Sequence, residues 1–439
     1  MPDIIKPKVL KGFRDFLPNM EISRRNLIHA LEKHFKSYGY VPIDTPVLEY
    51  AEVLLSKGSD ETDKQTYRFI DHGGRDVALR FDLTVPFARF VAAHKDELYM
   101  PFKRYHIGKA WRGENTQKGR YREFIQCDFD IVGTDSPSSD LEILLMIGTS
   151  LEAIGAGEVQ IRFSHRGLFN RLFKELKIEN QYTSVLRIVD KQNKIGPREV
   201  ERRIGDIVGT RNTEALMDFI TPETDNRKTL AKMASLTHSE DHEICRRMNT
   251  ILDAAQERQL RLLLDPSISR GLDYYTGLVF ETFLNDLPSL GSVCSGGRYS
   301  NLTGLFMKTP LSGAGASIGL DRLMTGLTEL GKLKTHPSTS DVLVIMLDEN
   351  LLAKYQGYAH SLRSTGLSAE VYPETKKLVV QFKYAAAKGI PLALIVGPEE
   401  AAAGTVNLKD LLHKESFNGL TFTEACSKAT ELRNRIKET

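Results

Sequence analysis

Closely spaced cysteine pairs are missing from this sequence. Its four cysteines are scattered, form no C-x-x-C motif and stand at Cys127, Cys245, Cys294 and Cys426. Disulfide scaffolds and zinc knuckles depend on such pairs, so we expect reduced thiols. The cysteines therefore exclude a disulfide framework and indicate little about function.

The sequence also lacks a segment that could enter a membrane. No apolar run approaches the roughly 20 residues needed to span a bilayer. The opening residues MPDIIKPKVLKGF lack the apolar core of a signal peptide. The 41% hydrophobic and 26% charged fractions are those of a globular protein. We therefore expect a cytoplasmic protein with no membrane partner.

Neither sign of charge predominates over the whole chain. The formal net charge of +2 over 439 residues is too balanced to indicate a nucleic-acid partner by itself. One stretch differs, because Glu114 is the only acid among seven basic residues: Lys103, Arg104, Lys109, Arg112, Lys118, Arg120 and Arg122. Such a run is often a solvated basic face, so its role depends on the motifs around it.

The length predicts two or three domains, since one core usually serves about 100 to 200 residues. Apolar residues recur at helical spacing over 19–39. Two strand-like stretches, 103–112 and 121–132, flank a polar loop and predict a long antiparallel hairpin. Residues 166–262 are charged and helical in pattern, which favours an inserted helical module.

The last third of the chain changes character. The glycine-rich stretch SGAGASIGLDRL predicts a strand that runs into a helix. Residues 331–340 contain Pro, Ser and Thr and are typical of a linker. From 341 to 439 strand and helix patterns alternate at βαβ spacing, which indicates a small α/β domain with a largely parallel sheet.

Two local motifs indicate a cofactor only weakly. GAGASIG imitates a dinucleotide-binding loop, but its glycines are spaced G-x-G-x-x-x-G and no acid follows at the end of a second strand. His238 and His242 could ligate a metal with Cys245, although histidines four apart more often lie on a solvated helix face. We expect neither a dinucleotide site nor a metal held by the protein.

The hairpin and the glycine-rich strand together indicate a more specific chemistry. RYHIGKAWRGENTQKGRYREF carries Arg112 on the first strand of the hairpin, Glu114 two residues later and Phe124 on the return strand. GASIGLDRL carries Arg322 in the second turn of its helix. Guanidinium groups bind phosphates bidentately, so two arginines can hold a bent triphosphate while an aromatic ring stacks on adenine. The two segments resemble the second and third motifs of class II aminoacyl-tRNA synthetases.

Two further peptides look like the signature sequences of histidyl-tRNA synthetases. They are RGLDYYTG at 270–277 and SGGRY at 295–299, and they lie between the second and third motifs as in that family. KGFRDFLP at 11–18 and LRFDLTVPFARF at 79–90 agree with this family. The resemblance covers essentially the whole chain.

The resemblance implies an α+β fold in which helices flank an antiparallel class II sheet, with a helical insertion and a C-terminal α/β anticodon-binding domain. The catalytic domain would span 1–330 with the insertion at 166–262, and the anticodon-binding domain would span 341–439 after a linker at 331–340. The implied partners are ATP, L-histidine, histidine tRNA and a second copy of the chain in a homodimer. Mg²⁺ would be bound through the ATP phosphates.

Family roles carried onto matching positions define a candidate ATP site. The resemblance implies Arg112 at the α-phosphate, Glu114 at the adenine amino group, Phe124 against the adenine ring and Arg322 at the γ-phosphate. Arg270 would be catalytic together with Arg112. It would stabilise the charge that develops on the α-phosphate, where other class II enzymes use a metal ion.

For histidine, the resemblance implies that Asp82, Thr84 and Gln126 surround the α-amino group and that Asp130 and Tyr275 bracket the imidazole. The full set is Asp82, Leu83, Thr84, Arg112, Gln126, Asp130, Arg270, Tyr274 and Tyr275. A carboxylate and a phenol can serve the two ring nitrogens, so an apolar analogue would leave polar groups unpaired. Many bacterial members have Pro-Glu-Gly-Thr at 81–84 and a glutamate at the position of Asp130. Because Asp82 and Asp130 are shorter acids, the backbone of this pocket must lie closer to its ligand.

Two points leave alternatives open. Gln117 matches a position that contacts the acceptor end of the tRNA, whereas Asn115 stands where an arginine often does so. The alternative function is that of a non-catalytic relative, the histidine-sensing regulatory subunit of ATP phosphoribosyltransferase. Those regulators usually lack the C-terminal domain and parts of the signature peptides, both of which this chain retains.

Replacing Arg270 by histidine tests the role that the resemblance implies. A guanidinium beside the α-phosphate stabilises the transition state more than bound ATP, so we expect kcat for adenylate formation to fall about 10²- to 10³-fold. KM for ATP should change less, and pyrophosphate exchange measures both constants. A large rise in KM with kcat unchanged would mean that the arginine only binds ATP.

Overall fold

The computed structural model describes residues 4–55, 60–240, 242–268, 275–301, 303–335 and 337–438. Two compact units make up the chain: Met1–Arg14 with Leu27–Leu333, and Asp15–Asn26 with Lys334–Thr439. Within the described ranges, no helix combines the length and the apolar character needed to cross a membrane.

An eight-stranded sheet forms the centre of the first unit, beside a sheet of three strands. The strands are β1 (Val41–Pro42), β2 (Leu48–Tyr50), β3 (Arg68–Ile70), β4 (Asp76–Leu79), β5 (Phe102–Trp111), β6 (Glu123–Val132), β7 (Val159–His165), β8 (Leu262–Leu264), β9 (Leu278–Leu284), β10 (Cys294–Tyr299) and β11 (Gly313–Gly319). The large sheet has the order β1-β5-β6-β11-β10-β9-β7-β8, and the small one has the order β2-β4-β3. Adjacent strands are antiparallel except β1 with β5 and β7 with β8, so the expected antiparallel sheet has parallel pairs at both edges.

Helices connect and cover these strands. They are α1 (Pro18–Ser37), α2 (Ala51–Leu55), α3 (Asp60–Gln65), α4 (Thr84–Ala93), α5 (Pro137–Ala153), α6 (Arg166–Glu175), α7 (Tyr182–Val189), α8 (Gln192–Ile195), α9 (Pro197–Val208), α10 (Thr210–Ile220), α11 (Asn226–Leu236), α12 (Glu243–Glu257) and α13 (Leu320–Glu329). The helices α6 to α12 lie between β7 and β8 in the chain. Because these two strands pair with each other, the chain leaves and re-enters the sheet at the same edge.

The predicted hairpin is formed by β5 and β6, which pair from Phe102 opposite Val132 to Trp111 opposite Glu123. Successive side chains of a strand point to opposite faces. On one face, Phe129 packs against Phe35 of α1 with ring centroids 5.0 Å apart. The alternate residues of β6 therefore point to the other face, where the candidate site lies.

A buried carboxylate joins the sheet to two helices. Asp140 in α5 accepts from Arg298 Nε of β10 at 2.8 Å and from Arg247 Nε of α12 at 2.7 Å. Arg298 also donates to Ser139 Oγ at 2.7 Å. Asp140 is buried, so its charge is compensated by these arginines rather than by water. The end of the helical segment is thus held against the central sheet.

The second unit has a five-stranded sheet of order β13-β12-β14-β15-β16. Its strands are β12 (Val342–Val344), β13 (Ala369–Val371), β14 (Leu392–Ile395), β15 (Val406–Asp410) and β16 (Ser416–Leu420). Its helices are α14 (Leu352–Ser364), α15 (Leu378–Lys388), α16 (Pro398–Ala403) and α17 (Phe422–Glu438). The α/β class is confirmed.

The expectation of a largely parallel sheet is wrong for half of this unit. β12 is parallel to β13 and β14, but β15 is antiparallel to both of its neighbours. A parallel pair needs a long crossover, usually with a helix. Only residues 411–415 connect β15 to β16, which is enough for a hairpin and too short for a crossover.

Removing the Asp140 carboxylate should destabilise the first unit strongly. Asp140→Ala leaves two arginines without their buried partner, so we expect the free energy of unfolding to fall by about 3 to 5 kcal/mol. Denaturant unfolding followed by circular dichroism measures this. Asp206→Ala is the control, because Asp206 pairs with Arg202 on the surface and should matter little. Equal midpoints for the two variants would contradict this account of the junction.

Candidate active site

Three polar side chains of β6 point to the same face of the large sheet. Gln126 is 8% exposed, Asp128 is 1% exposed and Asp130 is 3% exposed. Charged and amide side chains are rarely buried without partners. Their alternation along one strand makes this face the candidate site, and it contains two of the predicted histidine-binding residues.

Asp130 has a protein partner for each of its oxygens. Arg104 Nη2 of β5 lies 2.7 Å from Oδ2, and the Tyr299 hydroxyl of β10 donates to Oδ1 at 2.9 Å. Arg104 is fully buried, with its guanidinium 4.1 Å from the ring centroid of Phe87. Burial raises the pKa of Asp130, and the positive charge of Arg104 opposes that rise. Each carboxylate oxygen can accept a second bond, so Asp130 can still accept an imidazole N–H.

Glycines on the neighbouring strands leave the room for this arrangement. A Cβ on Gly315 would lie 1.9 Å from Asp130 Oδ1, and one on Gly297 would lie 2.8 Å from Tyr275 Cδ1. Tyr275 is buried and packs in a cluster with Tyr299. The structure therefore brings Tyr275 and Asp130 to the same part of the sheet, as the imidazole prediction requires.

Asp82 lies at the start of α4. Its Oδ1 accepts from the backbone of Thr84 at 3.1 Å and of Val85 at 3.0 Å, so it caps the helix as well as facing the site. Burial raises the pKa of Asp82, while the Val85 N–H and the charge of Arg112 act against the rise. Leu83 is fully buried, and its carbonyl accepts from Phe87 N at 3.2 Å.

Arg112 directly follows β5 and lies between two aromatic rings. Its guanidinium carbon is 4.3 Å from the ring centroid of Phe81 and 5.0 Å from that of Phe124, and its Nε donates to the Phe81 carbonyl at 3.2 Å. These contacts orient the guanidinium. Glu114 accepts from Arg122 Nε through its carbonyl at 3.2 Å. Arg112 and Phe124 thus lie together, as the predicted ATP site requires, and Glu114 follows two residues after Arg112 in the chain.

Arg322 completes this group from the other side. It is in the first turn of α13, not the second as expected, because the helix begins only at Leu320. A Cβ on Gly119 would lie 3.2 Å from Arg322 Cα, so the loop of the hairpin touches the start of this helix. Burial and, to a smaller extent, the charge of Arg120 lower the pKa of Arg322 to about 10, so it remains a cation at neutral pH. Gln117 lies exposed at the turn of the same loop.

Arg270 and Tyr274 lie outside the described residues. Their roles at the α-phosphate and beside histidine therefore stay predictions.

Sequence reasoning missed Arg104 and Tyr299 as parts of the site. Arg104 was grouped with a basic run that is often solvated, but it is fully buried. Its position opposite Asp130 in the β5–β6 register is the signal that would have identified it. Tyr299 ends the SGGRY peptide, and only the order of the strands shows that it reaches Asp130.

The N-terminal KGFRDFLP segment also supports the site. The Arg122 backbone N–H donates to Gly12 O at 2.9 Å. Arg14 forms an ion pair with Asp321 of α13, and Asp321 in turn accepts from Ile125 N of β6 at 2.7 Å. The segment therefore links the hairpin to the helix that carries Arg322.

Neither weak cofactor motif has the surroundings that its chemistry would need. GAGASIG is the inner strand β11, not a loop before a helix of a parallel sheet. His242 caps α12, and its Nδ1 accepts from Ile244 N at 3.1 Å. Among the residues that the structure describes, no group of three His, Cys, Asp or Glu side chains could hold a metal ion.

An antiparallel sheet with an arginine-bearing hairpin, next to a strand that leads into a second arginine, defines a class II aminoacyl-tRNA synthetase. The family model of histidyl-tRNA synthetase matches residues 12–323, and that of the anticodon binding domain matches residues 341–432. Since the first match alone covers more than half of the sequence, the chain belongs to the histidyl-tRNA synthetase family.

Individual relatives agree with this family. The histidine-tRNA ligase of Treponema denticola is 52% identical over 404 residues, or 90% of either chain. That of Rhodopirellula baltica is 45% identical over 94% of this chain and 95% of its own. The crystal structure of histidyl-tRNA synthetase from Nostoc sp. PCC 7120 has a TM-score of 0.87 at 32% identity, covering 98% of this chain and 100% of that one.

Tyr299→Phe tests the contribution of the second Asp130 partner. The change removes one hydrogen bond to a buried carboxylate and little volume, so we expect histidine to bind about 3- to 10-fold more weakly. Isothermal titration calorimetry measures this affinity. The control is Tyr355→Phe, which deletes a buried hydroxyl that donates to Val396 O at 2.9 Å in the second unit. Unchanged histidine affinity in Tyr299→Phe would show that Arg104 alone positions Asp130.

Proposed function

We propose that the chain activates L-histidine with ATP and then transfers the histidyl group to the 3′ end of histidine tRNA. The observation that carries the proposal is the buried Arg104–Asp130–Tyr299 group in the sheet whose strand β5 leads into Arg112, in a chain similar to histidine-tRNA ligases over most of its length. No comparable observation favours the regulatory-subunit alternative.

In the first step, a histidine carboxylate oxygen attacks the α-phosphate of ATP and pyrophosphate leaves. Arg112, fixed between Phe81 and Phe124, would bind the α-phosphate, and Arg322 would bind the γ-phosphate end. Fixed cations stabilise the charge of a phosphoryl transition state without reorganising during the reaction. Mg²⁺ would enter with ATP, bound to its β- and γ-phosphates, as part of the substrate. Arg270 is proposed to stabilise the charge on the α-phosphate.

Histidine would be recognised by the buried polar face. Asp82, Thr84 and Gln126 would surround the α-ammonium group, while Asp130 and Tyr275 would serve the imidazole nitrogens. The guanidinium of Arg104 lies 2.7 Å from Asp130, so its positive charge favours the ionised form of Asp130, which accepts an imidazole N–H. An amino acid without a ring N–H would leave this carboxylate partly unpaired, which is strongly unfavourable in a buried site.

In the second step, the terminal ribose hydroxyl of the tRNA takes the histidyl group from the adenylate. Gln117 is proposed to contact the acceptor end, and its exposed position at the hairpin turn supports access by a large partner. Residues 341–439 are proposed to bind the anticodon, with 1–330 as the catalytic domain, 166–262 as its insertion and 331–340 as the linker. The reaction belongs to protein synthesis, so a cytoplasmic location is proposed.

A homodimer is part of the proposal. Strands β2 and β3 of the small sheet carry exposed apolar side chains, of which Phe69 is 48% exposed and Ile70 is 65% exposed. Leu48 and Tyr50 are exposed on the same sheet. Neighbouring apolar side chains on one sheet are typical of a surface that is covered by a partner, here a second copy of the chain.

Pyrophosphate exchange across the twenty amino acids tests the proposed function. We expect ATP-dependent exchange with histidine and none above background with phenylalanine or glutamine, because neither can use Asp130 and Tyr275 together. Reactions without amino acid provide the background. Equal exchange with another amino acid would contradict the proposed specificity, and the absence of any exchange would favour a non-catalytic role.

A further inference from the structure

The Gln126 side chain has an acceptor on the buried polar face that lacks a hydrogen-bond partner in the described part of the chain. Gln126 Oε1 is buried, and no described residue donates to it. The other end of the same amide is well held, because Nε2 donates to Ser317 Oγ of β11 at 2.7 Å and lies 3.5 Å from Asp128 Oδ1. An unsatisfied buried acceptor is costly unless a ligand supplies the donor. Gln126 Oε1 therefore points to a donor group on the bound molecule.

Asp128 and Ser317 hold the same end of the Gln126 amide. They are directly opposite each other in the β6–β11 register, and an oxygen of each accepts from Gln126 Nε2. The ionised form of Asp128 can only accept, so it favours the N–H₂ end of the amide on this side and disfavours Oε1 there. The Ser317 hydroxyl can accept from the same N–H₂ group. The orientation of the amide therefore follows from the charge of Asp128.

We propose that Asp128 is a positioning residue, which together with Ser317 fixes the Gln126 amide with Oε1 facing the α-ammonium group of bound histidine. The inference rests on the proposed function and adds a residue to the histidine site. Without Asp128 the hydroxyl of Ser317 could turn and donate to Gln126 Oε1 of a flipped amide. The amide would then present N–H₂ to the ligand, and two donors would face each other.

The charges around Asp128 are consistent with this role. Burial raises the pKa of Asp128, the charge of Arg104 opposes the rise and the charge of Asp130 adds to it, so that the pKa is about 7 and both forms are present near neutral pH. An ammonium group bound nearby would favour ionisation further, because an opposite charge stabilises the carboxylate. Ligand binding and the orientation of the amide therefore support each other.

The experiment compares two ligands that differ only in the α-amino group. Histidine is measured by its KM in pyrophosphate exchange, and 3-(imidazol-4-yl)propionate, which lacks the amino group, by its inhibition constant. Loss of a hydrogen bond to a charged group should raise KM for histidine about 10- to 100-fold in Asp128→Ala and in Ser317→Ala. The inhibition constant of the deamino analogue should stay within about twofold, since it makes no use of Gln126 Oε1.

Further variants separate orientation from packing. Ser317→Thr keeps the hydroxyl and should retain a KM near that of the unmodified chain. Ser164→Ala deletes another buried hydroxyl of the same sheet and should change neither constant. The double variant Asp128→Ala with Ser317→Ala should be no worse than either single variant, because both changes break the same row of bonds. Ser317→Ala, at a partly exposed position, carries the test if Asp128→Ala does not fold.

Other outcomes would overturn the inference. Equal weakening of histidine and the deamino analogue would mean that Asp128 only maintains the shape of the pocket. Unchanged constants in both single variants would mean that the amide is oriented without them. A failure of the proposed function would be seen separately, as no histidine-dependent exchange by the unmodified chain, and would overturn both proposals.

Discussion

The buried ion pair between Arg104 and Asp130 is the interaction on which the rest of the site depends. It joins adjacent strands of the hairpin, and the Asp130 carboxylate reaches a third strand through Tyr299. Leaving one charge of such a pair unpartnered typically costs about 3 to 5 kcal/mol. Three features fit this ion pair. The β5–β6 register places Arg104 opposite Asp130, Gly315 leaves room for the Asp130 carboxylate, and the ring of Phe87 packs against the Arg104 guanidinium. Two further buried carboxylates, Asp82 and Asp128, can lie near this pair because that cation is fixed.

Strand β10 links the candidate site around Asp130 to the helical segment α6 to α12. Its neighbouring residues Arg298 and Tyr299 point to opposite faces, one to Asp140 and the other to Asp130. Asp140 also binds Arg247 at the far end of the inserted helices. A shift of α12 would therefore act on Arg298, which is next to Tyr299, the side chain that donates to Asp130. The two faces of strand β10 thus fix the position of Asp130 relative to the helices α6 to α12.

The sequence predicts elements and site residues correctly where neighbouring residues in the chain determine them. Alternation and a polar loop predict the hairpin, whose strands 103–112 and 121–132 are observed as Phe102–Trp111 and Glu123–Val132. The family motifs identified Arg112 and Phe124, which do lie together, and Glu114 two residues after Arg112. Arg104 could be found only from the register of the predicted hairpin, which pairs it with Asp130. Asp128 could not be found, because its role depends on β11 lying beside β6. The antiparallel end of the second sheet was not predicted, because the sequence patterns did not identify β15 and β16 as strands. The short connection between them was therefore not available as a sign of a hairpin.

The contact between the two ends of the first unit has a consequence for the order of synthesis. Asp321, the partner of Arg14, follows it by 307 residues in the chain. At about 5 to 20 residues per second, roughly 15 to 60 s pass between them on the ribosome. Strand β11, which lies between β6 and β10, is made only shortly before Asp321. The hairpin therefore keeps an open edge until β11 has been made, and during this interval the nascent protein is most exposed to wrong strand pairing.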